Sequence, residues 1–102
     1  MIKVIEGYEL KKDADMQPLF LKLRSCAMAF QGFVSAEHIR SAKGNPIAAL
    51  LYNWAGLEDW DMWESSKLRQ QLLHEAEALW VSEPRVTIYE VIPTSAWTRS
   101  IG

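Results

Sequence analysis

Six polar side chains in this chain could take part in chemistry: Tyr8, His38, Arg40, Tyr52, Asn53 and His74. A histidine is the natural proton acceptor among them, because its ordinary pKa lies near neutrality. Asn53 sits at the end of an apolar run, so its amide must find a partner in the fold or in a ligand. Aromatic walls for such a site are dense nearby. The stretch 53–80, NWAGLEDWDMWESSKLRQQLLHEAEALW, carries four of the five tryptophans, one of the two histidines and six of the thirteen acidic residues. Large indoles also serve as apolar anchors between elements, and Trp60 and Trp80 are read that way. His38, alone on a strand, is open to two readings: an acid–base group, or a packed or interfacial residue.

Other chemistries find little support in the residue types. Glu58, Asp59 and Asp61 load the first turns of a helix, where the dipole favours negative charge, and read as solvated carboxylates, not as a cation site. A single cysteine excludes an intrachain disulfide, and with only two histidines a zinc site is not expected. Cys26 has no apparent neighbouring base to ionise it and reads as a small buried hydrophobe. Net charge is −2, with Lys11–Lys12 the only adjacent basic pair, so no basic stripe exists for nucleic acid. The longest apolar run, Ile47 to Leu51, is too short to span a bilayer. No leader-like segment precedes Ile2, and a cytoplasmic protein is expected, with neither membrane nor nucleic acid as partner.

The elements that must position these residues follow from periodicity. Ile2 to Leu10 alternates like a strand, and Gly7 within it marks a simple kink that relieves curvature, or else a bulge or a close approach. Asp13 or Asp15 can cap the next helix, with Pro18 in its first turn. Met16, Leu19, Phe20, Leu23, Ala27 and Phe30 form one helix face, and Gly32 supplies a left-handed cap after it. Phe33 to Arg40 is a second strand, with Val34, Ala36, His38 and Arg40 on one face. The turn-rich SAKGNP links it to Ile47–Trp54, an almost wholly apolar third strand expected to be covered on both faces. From Gly56 a helical region runs to Glu83–Pro84, broken at Ser65–Ser66, where a fresh N-cap is expected. Arg85 to Ile92 is the fourth strand.

The order is β-α-β-β-α-β, the split β-α-β or ferredoxin-like arrangement in the α+β class: a four-stranded antiparallel sheet with helices on one face. Residues 1–93 form one domain and 94–102 a C-terminal tail. The strands are apolar on both faces, so the face away from the helices needs an external cover, and a second copy is the simplest candidate.

Several segments carry a resemblance to a known family: IKVIEGYELKKD at the start, QGFVSAEHIRS after the first helix, LLYNWAGLEDWDMWESSKLRQQL, and EPRVTIYEV near the end. Together, over about residues 2–92, the chain resembles the antibiotic biosynthesis monooxygenase family. The resemblance implies a homodimeric α+β barrel closed through the sheet faces, with a pocket for a small hydrophobic ligand between each sheet and its helices. It places Trp63 facing that pocket; Tyr8, Tyr52 and Trp54 are read as further binding residues, and His38, Asn53 and His74, by their side-chain types, as candidate catalytic groups. Family members include oxygenases that use no metal or flavin, so no cofactor is expected. Such an enzyme needs only to bind an electron-rich aromatic, help remove a proton and steady the carbanion that meets dioxygen.

Other members degrade haem with a first-strand Asn, a helix Trp and a ligating His. Trp54 and Trp63 have the spacing of two tryptophans in that group. The Asn position falls on Gly7, however, and the His position on Leu73, with His74 one residue late. One residue on a helix is a rotation of about 100°. These two departures argue against haem chemistry. A non-catalytic ligand-binding or assembly module on the same fold is the remaining alternative, and a pocket filled by Trp60, Trp63 and Leu73 would favour it.

Overall fold

The structure is a computed structural model, and it describes residues 1–94. All but the first residue of the expected tail, 94–102, lies outside the described residues. The elements are β1 (Ile2–Glu9), α1 (Gln17–Ala27), β2 (Phe33–Arg40), β3 (Ile47–Trp54), α2 (Leu57–Glu64), α3 (Lys67–Ala76), a short 3-10 turn (Glu77–Leu79) and β4 (Arg85–Glu90). They build an antiparallel sheet in the order β2-β3-β1-β4, the ferredoxin-like arrangement expected from the sequence.

Strand alternation sorts the sheet into two faces. Val4, Glu6 and Tyr8 of β1 turn toward the helices, as do Ala48, Leu50, Tyr52 and Trp54 of β3, and all seven are buried. Against them pack Leu19, Phe20, Leu23 and Ala27 of α1, Trp60 and Trp63 of α2, and Leu72 and Ala76 of α3. Trp54, Trp60 and Trp63 have no accessible surface. Each such indole removes roughly 150–250 Å² from water, a gross gain of about 4–6 kcal/mol before ordering costs.

Local signals account for most boundaries. Ser66 caps α3 by accepting from the Arg69 N–H at 3.2 Å, which makes Ser65–Ser66 the break between α2 and α3. Asp15 serves α1 from just outside, accepting from the Gln17 N–H at 3.0 Å, while Met16 holds the cap position without a side-chain bond. Gly32 does adopt a left-handed φ of +83°, but at the entry to β2 and not as the cap of α1, a position that Met28 holds.

Three details differ from the sequence reading. Gly7 sits in a regular ladder, paired with Ala49 and Arg85, so it makes no bulge. The irregularity falls between Phe33 and Ser35, which lets Phe33 join Ala36 on the helix side and leaves Val34 exposed. α1 closes at Ala27 with Met28 as its cap, short of Gln31–Gly32, and β4 closes at Glu90, short of Ile92. Within the chain β3 is covered on its helix face, while on the other face Ala49, Leu51 and Asn53 are half-buried and Ile47 is exposed.

Candidate functional site

The interior contains one charged pair that packing alone does not call for. Glu6 shares the core parity of Val4 and Tyr8, and Arg69 shares the α3 stripe with Leu72 and Ala76. The Arg69 Nη2 donates to Glu6 Oε1 at 2.6 Å, and Nη1 donates to the Glu64 carbonyl at 3.2 Å. The guanidinium carbon stands 5.5 Å from the centre of the Trp60 ring, a cation–π arrangement. Both side chains are almost wholly buried, with 8% exposure for Arg69 and 1% for Glu6.

Around the pair lies an aromatic shell: Tyr52 against Trp60 at 5.6 Å between ring centres, Trp54 against Trp60 at 6.3 Å, and Tyr8 against Trp80 at 5.5 Å. Many of its polar atoms lack partners within the protein. The Tyr8 hydroxyl lies close to Glu6 and the Tyr52 hydroxyl to Trp63, within each other's electrostatic reach but short of good hydrogen-bond geometry. Arg69 Nε and the indole nitrogens of Trp54, Trp60 and Trp80 are buried with no partner. Folded proteins rarely leave such groups orphaned, so a water or ligand is the natural partner. Burial pushes the Tyr8 hydroxyl well above its usual pKa, with the adjacent Glu6 adding to the rise; Tyr52 is raised by burial first and Glu6 second. Both therefore remain protonated donors at neutral pH.

A cleft of about 540 Å³ opens toward this shell between α3, the 3-10 turn and the start of β4. Arg69 and Trp80 are its most buried lining residues, Leu73 and Val86 line it further, and Glu64, His74, Glu77 and Glu83 border it. A second cleft of about 480 Å³ lies where the β2–β3 hairpin meets the start of α1, lined in part by His38, Arg40 and Met16.

The polar candidates are not brought together. His38 faces the hairpin cleft, its Nδ1 2.6 Å from Gln17 Oε1 and its ring 5.2 Å from Phe20. Arg40 borders the same cleft and is exposed. Asn53 lies on the opposite sheet face, donating to Ser35 Oγ at 2.9 Å. His74 stands on the rim of the α3–β4 cleft, its side chain 81% exposed and Nδ1 3.4 Å from Glu77 Oε1. Leu73 turns toward the cleft and His74 toward solvent, as the 100° rotation requires.

The binding candidates share one side of the sheet. Tyr8, Tyr52, Trp54 and Trp63 all occupy the buried side between sheet and helices. Trp63 lies deep, edge-on to Phe30 at 5.0 Å, and borders neither of these two clefts. Trp60 and Trp63 fill the interior, whereas Leu73 walls a cleft that stays open.

Two residues escaped the sequence reading. Glu6 looks like a polar alternate to Ile5 until Val4 and Tyr8 fix which face is buried. β1 consequently presents Glu6, not Gly7, to the interior. Arg69 falls at the three-four spacing of Leu72 and Ala76, a signal masked by the exposed Leu68. Among the described residues no group of three or more His, Cys, Asp or Glu side chains could hold a metal ion, and no helix is long and apolar enough to cross a membrane.

Frame and cleft together define an α+β, ferredoxin-like chain with an aromatic, partly polar interior beside an open cleft. Solved structures of the same fold carry the name that the sequence resemblance suggests. A crystal structure of an antibiotic biosynthesis monooxygenase superposes with a TM-score of 0.77 at 17% identity, covering 91% of this chain and 100% of that one. SnoaB, a cofactor-independent oxygenase from Streptomyces nogalater, superposes with 0.77 at 11% identity, covering 90% of this chain and 93% of its own. Rv0793 from Mycobacterium tuberculosis does so with 0.77 at 18% identity, over 90% and 95% of the two chains. No protein-family model and no curated protein matches the sequence. At these identities the likeness establishes the fold: the chain has the architecture of the antibiotic biosynthesis monooxygenases.

Proposed function

We propose that this chain is a cofactor-independent monooxygenase that takes a small hydrophobic, aromatic substrate into the α3–β4 cleft. The observation that carries the reading is the set of buried, unpaired polar atoms among stacked aromatics next to that cleft. A ligand entering there gains apolar contact with Leu73, Trp80 and Val86 in front of the aromatic shell. Of the three catalytic candidates only His74 borders this cleft, so it is the proton acceptor a bound substrate would reach. Tyr8, Tyr52, Trp54 and Trp63 support the site from behind.

The same reading includes a homodimer closed through the open sheet face. Ile39, Ile47 and Tyr89 are more than 40% exposed there, beside the half-buried Ile5, Ala49 and Leu51. A face of this kind on a soluble chain calls for a partner, and a second copy offers the same apolar strands in return.

Oxygen uptake with a panel of anthrone-like and quinol substrates tests the enzymatic reading, comparing the wild type with His74→Gln and Trp63→Phe. Uptake that falls at least tenfold in His74→Gln supports it, while Trp63→Phe, outside the cleft, reports the effect of core packing alone. Saturable binding of the same panel without any uptake would make the chain a ligand-binding module on this fold.

A further inference from the structure

Helix α3 closes the interior with little apolar anchorage. α1 buries Leu19, Phe20, Leu23 and Ala27, and α2 buries two indoles, whereas the ten residues of α3 bury only Leu72, Ala76 and the charged Arg69. The Arg69–Glu6 pair adds little net hold, since desolvating both ions roughly offsets their attraction. Clefts flank the helix on both sides: the one of about 540 Å³ toward β4, and one of about 180 Å³ toward α1, lined in part by Pro18, Leu19 and Lys22. Across the smaller cleft, Lys22 Nζ and Glu75 Oε2 stand 4.0 Å apart on exposed side chains, a contact worth little.

Both ends of α3 carry a joint. At the first, α2 stops at Glu64 and α3 restarts from its Ser66 cap. At the second, the 3-10 turn Glu77–Leu79 leads into a stretch pinned to β1, where the Lys11 N–H donates to the Leu79 carbonyl and the Val81 N–H to the Glu9 carbonyl, both at 2.8 Å. A helix of ten residues is marginal in water once undocked, because nucleation is costly. What lies beneath favours undocking as well. Arg69 Nε and the Trp60 indole N–H are buried with no partner, and each costs free energy until water reaches it. Lifting α3 hydrates Arg69, Glu6 and the face of Trp60 under the guanidinium together, and that hydration offsets the lost packing of Leu72 and Ala76.

We propose that α3 is a strap over the aromatic interior, opening between Ser65–Ser66 and the 3-10 turn far more often than the sheet unfolds, with the Arg69–Glu6 pair as the latch that reseats it. Each opening uncovers Trp60 and the Tyr52 stacked on it at 5.6 Å, which border neither the α3–β4 cleft nor the hairpin cleft while the chain is closed. The strap rests on the reading that a ligand arrives beside α3, and adds the motion that admits it further.

Native-state hydrogen exchange of the full chain, followed by NMR at low urea concentrations, tests this. The amides of Leu72, Leu73 and Ala76 and the Trp60 indole N–H should share one opening, at least about a hundredfold more populated than the one that exposes the Leu50 and Tyr52 amides of β3. Gln71 is exposed, so Gln71→Gly weakens the helix without touching the interior; it should speed exchange of the α3 amides and of the Trp60 indole alike, by about threefold or more. Phenylglyoxal gives a second readout by mass spectrometry. Arg24, Arg40 and Arg85 are exposed and open to immediate modification, whereas Arg69 should be modified slowly, at a rate that Gln71→Gly raises by the same factor.

A Trp60 indole that exchanges only together with the β3 amides would overturn the strap. So would indole exchange and Arg69 modification that ignore Gln71→Gly. The catalytic reading fails separately: α3 opening without oxygen uptake refutes the oxygenase and leaves the strap standing, and uptake by a chain whose α3 opens only with the sheet does the reverse.

Discussion

Glu6 Oε1 and Arg69 Nη2 meet at 2.6 Å, tying β1 to α3 through the most buried ion pair among the described residues. Taking both charges out of water costs several kcal/mol per ion, and a close contact with further hydrogen bonds only roughly offsets that. The pair is therefore better explained by what it positions than by what it stabilises. It holds a guanidinium over Trp60 with one edge unused beside a cleft.

Removing one partner should be much worse than removing both. Arg69→Leu strands the Glu6 carboxylate in an apolar interior and should lower stability by about 3–5 kcal/mol. Glu6→Leu combined with Arg69→Met replaces the pair with packing of similar volume and should cost under about 1 kcal/mol, or stabilise. Urea unfolding followed by circular dichroism separates the two cases, and equal losses would show that the pair is not electrostatically coupled.

The two buried tyrosines predict an alkaline limit. Tyr8 and Tyr52 both have pKa values raised above the ordinary 10.0 in the folded chain, mainly by burial. Below pH 10 both states keep these protons, so the two groups leave stability independent of pH. Above pH 10 the unfolded chain releases them while the folded chain does not, so stability falls as pH rises. The slope should approach about 1.4 kcal/mol per pH unit for each tyrosine. Tyr52→Phe and Tyr8→Phe should each remove one such contribution, which denaturant titrations between pH 9 and 11.5 would reveal.

Much of the frame was legible because period and punctuation agreed. Ser66 and the turn-rich SAKGNP each marked a boundary the structure keeps, and the spacing of Leu19, Phe20, Leu23 and Ala27 defined a helix face. The site was less legible because its key residues break the polar-outside rule. Glu6 is polar at a core position and Arg69 is charged on an apolar stripe, and each becomes intelligible only when the other is placed opposite it. His38, Asn53 and His74 were the obvious chemical candidates by type. Type carries no information about which cleft or sheet face a side chain reaches, and these three reach different ones.

Two glycines give a controlled comparison of backbone strain and close packing. Gly32 and Gly44 have nearly the same φ, +83° and +82°. A side chain at either position carries the left-handed penalty of about 1–2 kcal/mol. At Gly44 nothing lies within 4 Å of an added Cβ, whereas at Gly32 it would fall inside the Asp59 side chain. Asp59 belongs to the first turn of α2, and the Ala55 N–H donates to the Gly32 carbonyl at 2.7 Å, so that junction cannot shift freely. Gly32→Ala should therefore cost at least about 1 kcal/mol more than Gly44→Ala, measured by thermal or urea unfolding of the two variants.

The open sheet face should make the protein a dimer. On it Ile5 pairs with Leu51, and Leu51 lies across from Glu37 on β2, so an apolar centre sits beside a charged margin. Sedimentation equilibrium should give twice the chain mass of 11.7 kDa for the wild type. Leu51→Glu sets a second carboxylate next to Glu37 at the centre of the proposed contact, where neither charge could be solvated once the faces close. That variant should sediment as a monomer with an unchanged circular dichroism spectrum, because Leu51 points away from the core that α1, α2 and α3 cover. A wild type that stays monomeric, or a Leu51→Glu chain that remains dimeric, would move the interface off this face.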